Sequence, residues 1–139
     1  MVILASRKME VVKGDSFSKY LSTKPTYPRL YHFIIEAREV SKSLLRRQKL
    51  TANLKKIIRD LDLKVKKRSY FYFRPQGTTM IFILSSSHLS VHTWPELNYL
   101  HIDLLTCNKI SRAKIVTILK RHLCEIKKTS IKEINYNHD

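Results

Sequence analysis

The sequence predicts an α+β fold, a two-layer sandwich in which a mostly antiparallel sheet carries two helices packed on one face. Three observations point there. The period of the apolar residues changes along the chain, from β-branched and aromatic runs to spacings of three, four and seven and back. The resulting order is strand, helix, four strands, helix, strand. With 139 residues, 43% of them apolar, there is material for one core and one domain.

Residues 1–28 hold Lys13-Gly14-Asp15-Ser16, Pro25 and Pro28 and keep no period, so they read as a loosely ordered basic extension ahead of a domain spanning 29–139. Leu30 to Ala37 is rich in aromatic and β-branched residues and predicts a strand. Leu44, Leu45, Leu50, Leu54, Ile57, Ile58 and Leu61 follow helical spacing, and Ser41 offers an N-cap, so a helix is expected from about Lys42 to Asp60. Its other face is covered by Lys and Arg, as a solvated face would be. Leu63 to Phe73 is a second strand, and Pro75-Gln76-Gly77 turns the chain. Thr79 to Leu84, Leu89 to Trp94 and Tyr99 to Thr106 are the next strands, the last two joined by a turn at Pro95-Glu96-Leu97-Asn98. Ile110, Ile115, Ile118, Leu119 and Leu123 predict a second amphipathic helix over 109–123, and Ser130 to Tyr136 a last strand.

Composition excludes several classes. No apolar run reaches the roughly 18 residues of a membrane span. Met1 to Ala5 is only briefly apolar and is followed by Arg7, Lys8 and Lys13, the reverse of a secretory signal, so a cytoplasmic protein with two reduced cysteines is expected. The 27 Lys and Arg against 11 Asp and Glu give a net charge of +16, which first suggests nucleic acid. The distribution argues otherwise. Between Pro75 and Asn108 there is no Lys or Arg, while the same window holds three of the six His, one of the two Cys, Glu96 and Asp103. Buried strands would exclude charge in the same way, yet the residue types left in the gap are those of acid–base chemistry.

The stretch Leu84-Ser85-Ser86-Ser87-His88-Leu89-Ser90-Val91-His92-Thr93-Trp94-Pro95-Glu96 puts three serines at a tight junction between apolar strands, where a hydroxyl can reach the preceding carbonyl. His92, five residues on, could return to that junction as acid or base. A plain connecting turn would also favour serine.

Residues 87–96, with Tyr99, Asp103 and Thr106-Cys107, resemble the signature of the small prokaryotic S-adenosylmethionine decarboxylases, which are pyruvoyl-dependent and self-processing. Phe73, Pro75, Gln76 and Gly77 match the segment that precedes it. The resemblance implies that Ser87 attacks the carbonyl of Ser86, that an ester forms by an N-to-O acyl shift, and that elimination cuts the chain into 1–86 and 87–139. The second chain then begins with a pyruvoyl group, a cofactor generated from Ser87 itself, whose ketone takes the substrate's α-amine as a Schiff base and serves as electron sink for loss of CO2. By the same match His92 assists processing, Thr79 helps it in place of the usual Ser, and Cys107 is the proton donor. Phe73 and Trp94 stack on adenine near the sulfonium, and Glu96 binds the ribose hydroxyls. No metal is implied. Ser86 stands where the family usually has Glu, and Asn98 and His101 replace smaller residues.

The expected function is therefore decarboxylation of S-adenosylmethionine to the aminopropyl donor for spermidine, by a homodimer of processed protomers. Two alternatives differ: the same chemistry on arginine or ornithine, and an unprocessed basic binding or regulatory homologue whose basic surface touches nucleic acid or an acidic partner. The gap in Lys and Arg suits a cationic small-molecule substrate, which basic residues would repel and aromatic faces attract.

Overall fold

A computed structural model of the chain describes residues 27–136, so residues 1–26 of the expected extension lie outside the described residues. The elements run β1 (Tyr31–Val40), α1 (Arg47–Asp60), β2 (Lys67–Phe73), β3 (Gly77–Leu84), β4 (Ser87–Trp94), β5 (Tyr99–Thr106), α2 (Arg112–His122) and β6 (Ile126–Ile134), with one 3-10 turn at Pro95–Leu97. The six strands form a single sheet in the order β2-β3-β4-β5-β1-β6, and every pair is antiparallel.

Strict alternation decides which face each strand buries. Along β4, Ser87, Leu89, Val91 and Thr93 are buried while His88, Ser90, His92 and Trp94 are not. On β5 the buried set is Leu100, Ile102, Leu104 and Thr106. Both helices lie on that buried face: Leu54 and Ile57 of α1 and Ile115 and Ile118 of α2 meet Leu89, Ile102 and Leu104 around one small internal cavity. Each such Leu, Ile or Phe contributes about 1.5–3 kcal/mol on leaving water, so a one-residue slip of β4, which would exchange these for His88 and His92, is strongly disfavoured. Among the described residues the opposite face of the sheet carries no helix, and Phe71, Ile81 and Ile83 on it are 70%, 43% and 46% exposed.

The expected boundaries shift in places for identifiable reasons. Helix α1 starts at Arg47 rather than near Lys42, because Ser41 caps a separate turn: its Oγ accepts the Leu44 N–H at 3.0 Å and its carbonyl accepts the Leu45 N–H. That turn buries Leu44 and Leu45, which is why their spacing looks helical. Helix α2 begins after Ser111, whose Oγ accepts the Lys114 N–H at 3.1 Å, a cap within the segment expected to be helical. Strand β6 begins four residues earlier than expected and ends at Ile134, since its register on β1 runs from Ile126 opposite Val40 to Ile134 opposite His32. No helix among the described residues is long and apolar enough to cross a membrane.

The two helices are tied at one end by Asp60. Its carboxylate accepts from His122 Nε2 at 2.6 Å, from Arg121 at 3.2 Å and from Arg59 at 3.1 Å. The His122 hydrogen bond, with the two arginines, holds the Asp60 pKa down at about 2. A carboxylate depressed in the folded state stabilises the fold above its unfolded pKa, near 3.8, and loses that contribution as pH falls through about 2. The melting temperature of Asp60→Asn is therefore expected to lie below that of the parent at pH 6 and to converge on it by about pH 2. Thermal melts across that range test this, and a constant gap between the two curves would refute the assignment.

Candidate functional site

The β3–β4 connection is as short as a hairpin allows. Leu84 pairs with Ser87, which leaves only Ser85 and Ser86 in the loop. Ser85 has φ 57°, the left-handed region that two-residue hairpins usually give to Gly, Asn or Asp, at a cost of about 1–2 kcal/mol for other residues. Ser87 opens β4 with its side chain on the helix face, 8% exposed, and its Oγ donates to Thr106 Oγ1 at 2.8 Å. Thr106 Oγ1 also accepts the Asn108 N–H at 3.0 Å, so the end of β5 holds the Ser87 hydroxyl firmly. From the other side Cys107 Sγ reaches the carbonyl oxygen of Ser86 at 3.6 Å. The Ser86–Ser87 peptide thus has a hydroxyl on the side chain of its own nitrogen-bearing residue, a thiol on its carbonyl and a strained residue just before it.

A second cluster sits on the open face. Thr79 and His92 are register partners on β3 and β4, and Thr79 Oγ1 lies 2.9 Å from His92 Nδ1. Burial, with the neighbouring His101 adding to it, pulls the His92 pKa below its ordinary value, while Asp103 opposes the shift. An uncharged imidazole at neutral pH suits a proton acceptor. Trp94 follows on the same side of β4, its ring 6.1 Å from His92, 5.7 Å from Phe73 and 5.5 Å from Tyr99. Phe73 can take this position because Gly77 is its register partner: a Cβ there would stand 2.0 Å from the Phe73 ring. Glu96 lies exposed in the 3-10 turn after Trp94, which closes through Asn98 in the left-handed conformation, φ 49°.

Not all the expected residues converge. Thr79, His92, Phe73, Trp94 and Glu96 gather at one end of the hairpin, and Ser86, Ser87 and Cys107 at the other. His92 does not return to the serine junction within this chain. Five residues of extended strand separate them, roughly 16 Å of rise, and odd spacing sends their side chains to opposite faces. The gap in Lys and Arg coincides with β3, β4 and β5, the strands that carry both clusters.

The sequence reading gave no role to several residues the structure places beside these clusters. Thr106 holds the Ser87 hydroxyl. Tyr99 donates to Glu36 Oε1 at 3.0 Å, and burial with that contact raises its pKa. Asp103 binds His32 Nε2 at 2.8 Å, and Tyr136 takes the other nitrogen of His32 at 2.7 Å. Alternation along β5 puts Tyr99, His101 and Asp103 on one face in the sequence itself, but their neighbours depend on register, which is a long-range property.

Comparison with known proteins follows the same line. A family model described as S-adenosylmethionine decarboxylase matches residues 31–136. An S-adenosylmethionine decarboxylase proenzyme of Clostridium botulinum is 46% identical over 82 residues, covering 58% of this chain and 70% of the relative. One of Caldicellulosiruptor saccharolyticus is 35% identical over 82 residues, 56% of this chain and 64% of the relative. The crystal structure of the adenosylmethionine decarboxylase from Aquifex aeolicus has the same fold, with a TM-score of 0.69 at 22% identity over 82% of this chain and 95% of that one. With the family pattern matched along the whole sheet and both helices, this chain belongs to the S-adenosylmethionine decarboxylase family.

Proposed function

We propose that this family member cuts its own backbone between Ser86 and Ser87, keeps residue 87 as a pyruvoyl group, and uses it to decarboxylate S-adenosylmethionine. The observation that carries this is the contact of Cys107 Sγ with the Ser86 carbonyl in a loop strained at Ser85. The thiol polarises the carbonyl, and the Ser87 hydroxyl, released from Thr106, attacks its carbon. The bond from that carbon to the Ser87 nitrogen breaks as the nitrogen takes a proton, leaving an ester. Removal of the Ser87 Cα proton then expels the Ser86 carboxylate, and water hydrolyses the dehydroalanine with loss of ammonia. Neutral His92 supplies the base, with Thr79 fixing its ring.

A pyruvoyl group at position 87 fits this environment: Thr106 Oγ1 lies within hydrogen-bonding distance of the residue, and Cys107 stands on the other side of the cut bond. When present it supplies the electron sink for loss of CO2. The chain's own groups do the rest. Cys107 Sγ delivers a proton to the substrate's α-carbon, Phe73 and Trp94, which meet edge to face at 62°, offer their ring faces to adenine and the sulfonium, and Glu96 accepts from the ribose hydroxyls. Aromatic surface of this kind favours the adenine and sulfonium of S-adenosylmethionine over arginine or ornithine. The cytoplasm suits an enzyme whose Cys107 and Cys124 are both free thiols.

The working unit is a homodimer paired through the open sheet faces. The separation of the two clusters supports this reading, because a two-fold partner laid across the face can set its Thr79 and His92 against the Ser86–Ser87 bond of the first chain. The exposed Phe71, Ile81 and Ile83 give that face apolar surface to bury.

Denaturing mass spectrometry of the full chain after incubation is the direct test. Two fragments, the second starting at a residue 87 without its amine, are expected. A single species persisting at 16.5 kDa would remove the reading.

A further inference from the structure

His92 is enclosed on three sides of the open face. Thr79 borders it from β3, Trp94 follows it along β4, and His101 is its register partner on β5 with ring centroids 6.3 Å apart and planes tilted by 45°. The row continues, since Glu36 of β1 is the register partner of His101, so four polar side chains lie side by side across four strands: Thr79, His92, His101 and Glu36.

We propose that His101 is a positioning residue for His92, walling its imidazole on the side away from Thr79 so that Nδ1 stays turned to the Thr79 hydroxyl and the ring works as an uncharged base. This rests on the reading of His92 as the base of chain processing. Within van der Waals reach of neighbouring strands the His92 ring has few rotamers, and a bulky partner at 101 removes those that swing away from Thr79. Charge acts in the same direction. A proton on either imidazole disfavours one on the other, which the lowered pKa of His92 reflects after the larger effect of burial. The other titratable groups on this face are His88 on β4, Tyr99 and Asp103 on β5, His32, Glu36 and Arg38 on β1, Lys128 and Lys132 on β6, and Lys67 on β2. Glu36 is already engaged by Tyr99 and, at 3.6 Å, by Arg38, while Asp103 is held by His32, which leaves the His101 ring, 6.3 Å away, as the ionisable group set directly beside the His92 ring.

Two measurements test the assignment. The full chain made by cell-free translation starts uncut, so its cleavage rate can be followed from pH 5 to 8.5. His101→Gln keeps bulk at 101 and removes the ionisable ring, so it is expected to keep the alkaline plateau within about threefold and to move the acid limb upward by about half a pH unit, the repulsion of two unit charges some 6 Å apart in a watery dielectric. Independently, nitrogen and proton chemical shifts of His92 are titrated in the uncut Ser87→Ala chain with and without His101→Gln, where the midpoint should rise by the same amount. Uniform slowing at every pH with an unmoved His92 midpoint would make His101 merely structural and overturn the proposal. If the parent chain never cleaves, the processing reading fails, and the His92 midpoint alone then decides the coupling.

Discussion

Ser87→Ala is expected to leave one uncut chain at 16.5 kDa, folded and without decarboxylase activity. The loss should be complete, because the substitution removes the one oxygen that both attacks the Ser86 carbonyl and then leaves with the Ser86 carboxylate to give the dehydroalanine from which the ketone forms. The fold should survive: Ser87 lies at the first position of β4, and its removal leaves Thr106 Oγ1 its bond from the Asn108 N–H. Losing one buried hydrogen bond of this kind costs about 1 kcal/mol, well within the margin of a domain this size. Cys107→Ala separates the two stages. It removes the thiol from the Ser86 carbonyl and so slows cleavage, but the nucleophile remains and two fragments should still form. The cut protein should then turn over about 10²–10⁴-fold more slowly, the usual contribution of a positioned proton donor. Mass spectrometry follows cleavage and CO2 release follows turnover. Normal turnover by Cys107→Ala would assign the proton to another group, and cleavage of Ser87→Ala would move the cut bond.

The layers of this fold are legible in the sequence because they depend on local period. Alternation in Leu89 to Trp94 and Tyr99 to Thr106 names the buried face of each strand, and the structure keeps it residue for residue. Helix starts are less legible. Ser41 has the chemistry of an N-cap and uses it, but on a turn that ends before the helix begins, and the apolar spacing runs through both. Ser87, His92 and Cys107 stand out by their motif, whereas their arrangement does not. Spacing along one strand places Ser87 and His92 five residues apart, and only the parity of the pleat shows that this sends them to opposite faces. Thr106, Tyr99 and His101 gain their partners from strands 19, 63 and nine residues away, through a register that no local pattern encodes.

The separation of Ser87 and His92 along β4, roughly 16 Å, yields the sharpest expectation for the assembled enzyme. If Ser87 of one chain is processed by His92 of its partner, then Ser87→Ala and His92→Ala, each uncut alone, should restore cleavage when co-expressed. A mixed dimer has one site built from the Ser87 of the His92→Ala chain and the His92 of the Ser87→Ala chain, both intact, and one site that lacks both groups. Only the His92→Ala chain should therefore be cut, and with random pairing about half of the dimers are mixed, so cleavage should approach half of those chains. A tag of different mass on each variant makes the identity of the cut chain visible by mass spectrometry. His92→Ala alone should be slowed about 10²–10⁴-fold by loss of its base, which keeps the background low during the experiment. Should the co-expressed pair stay uncut, or should the fragments come from the wrong chain, each protomer must complete its own site, and the hairpin would have to bend far enough to bring His92 back to the serine loop.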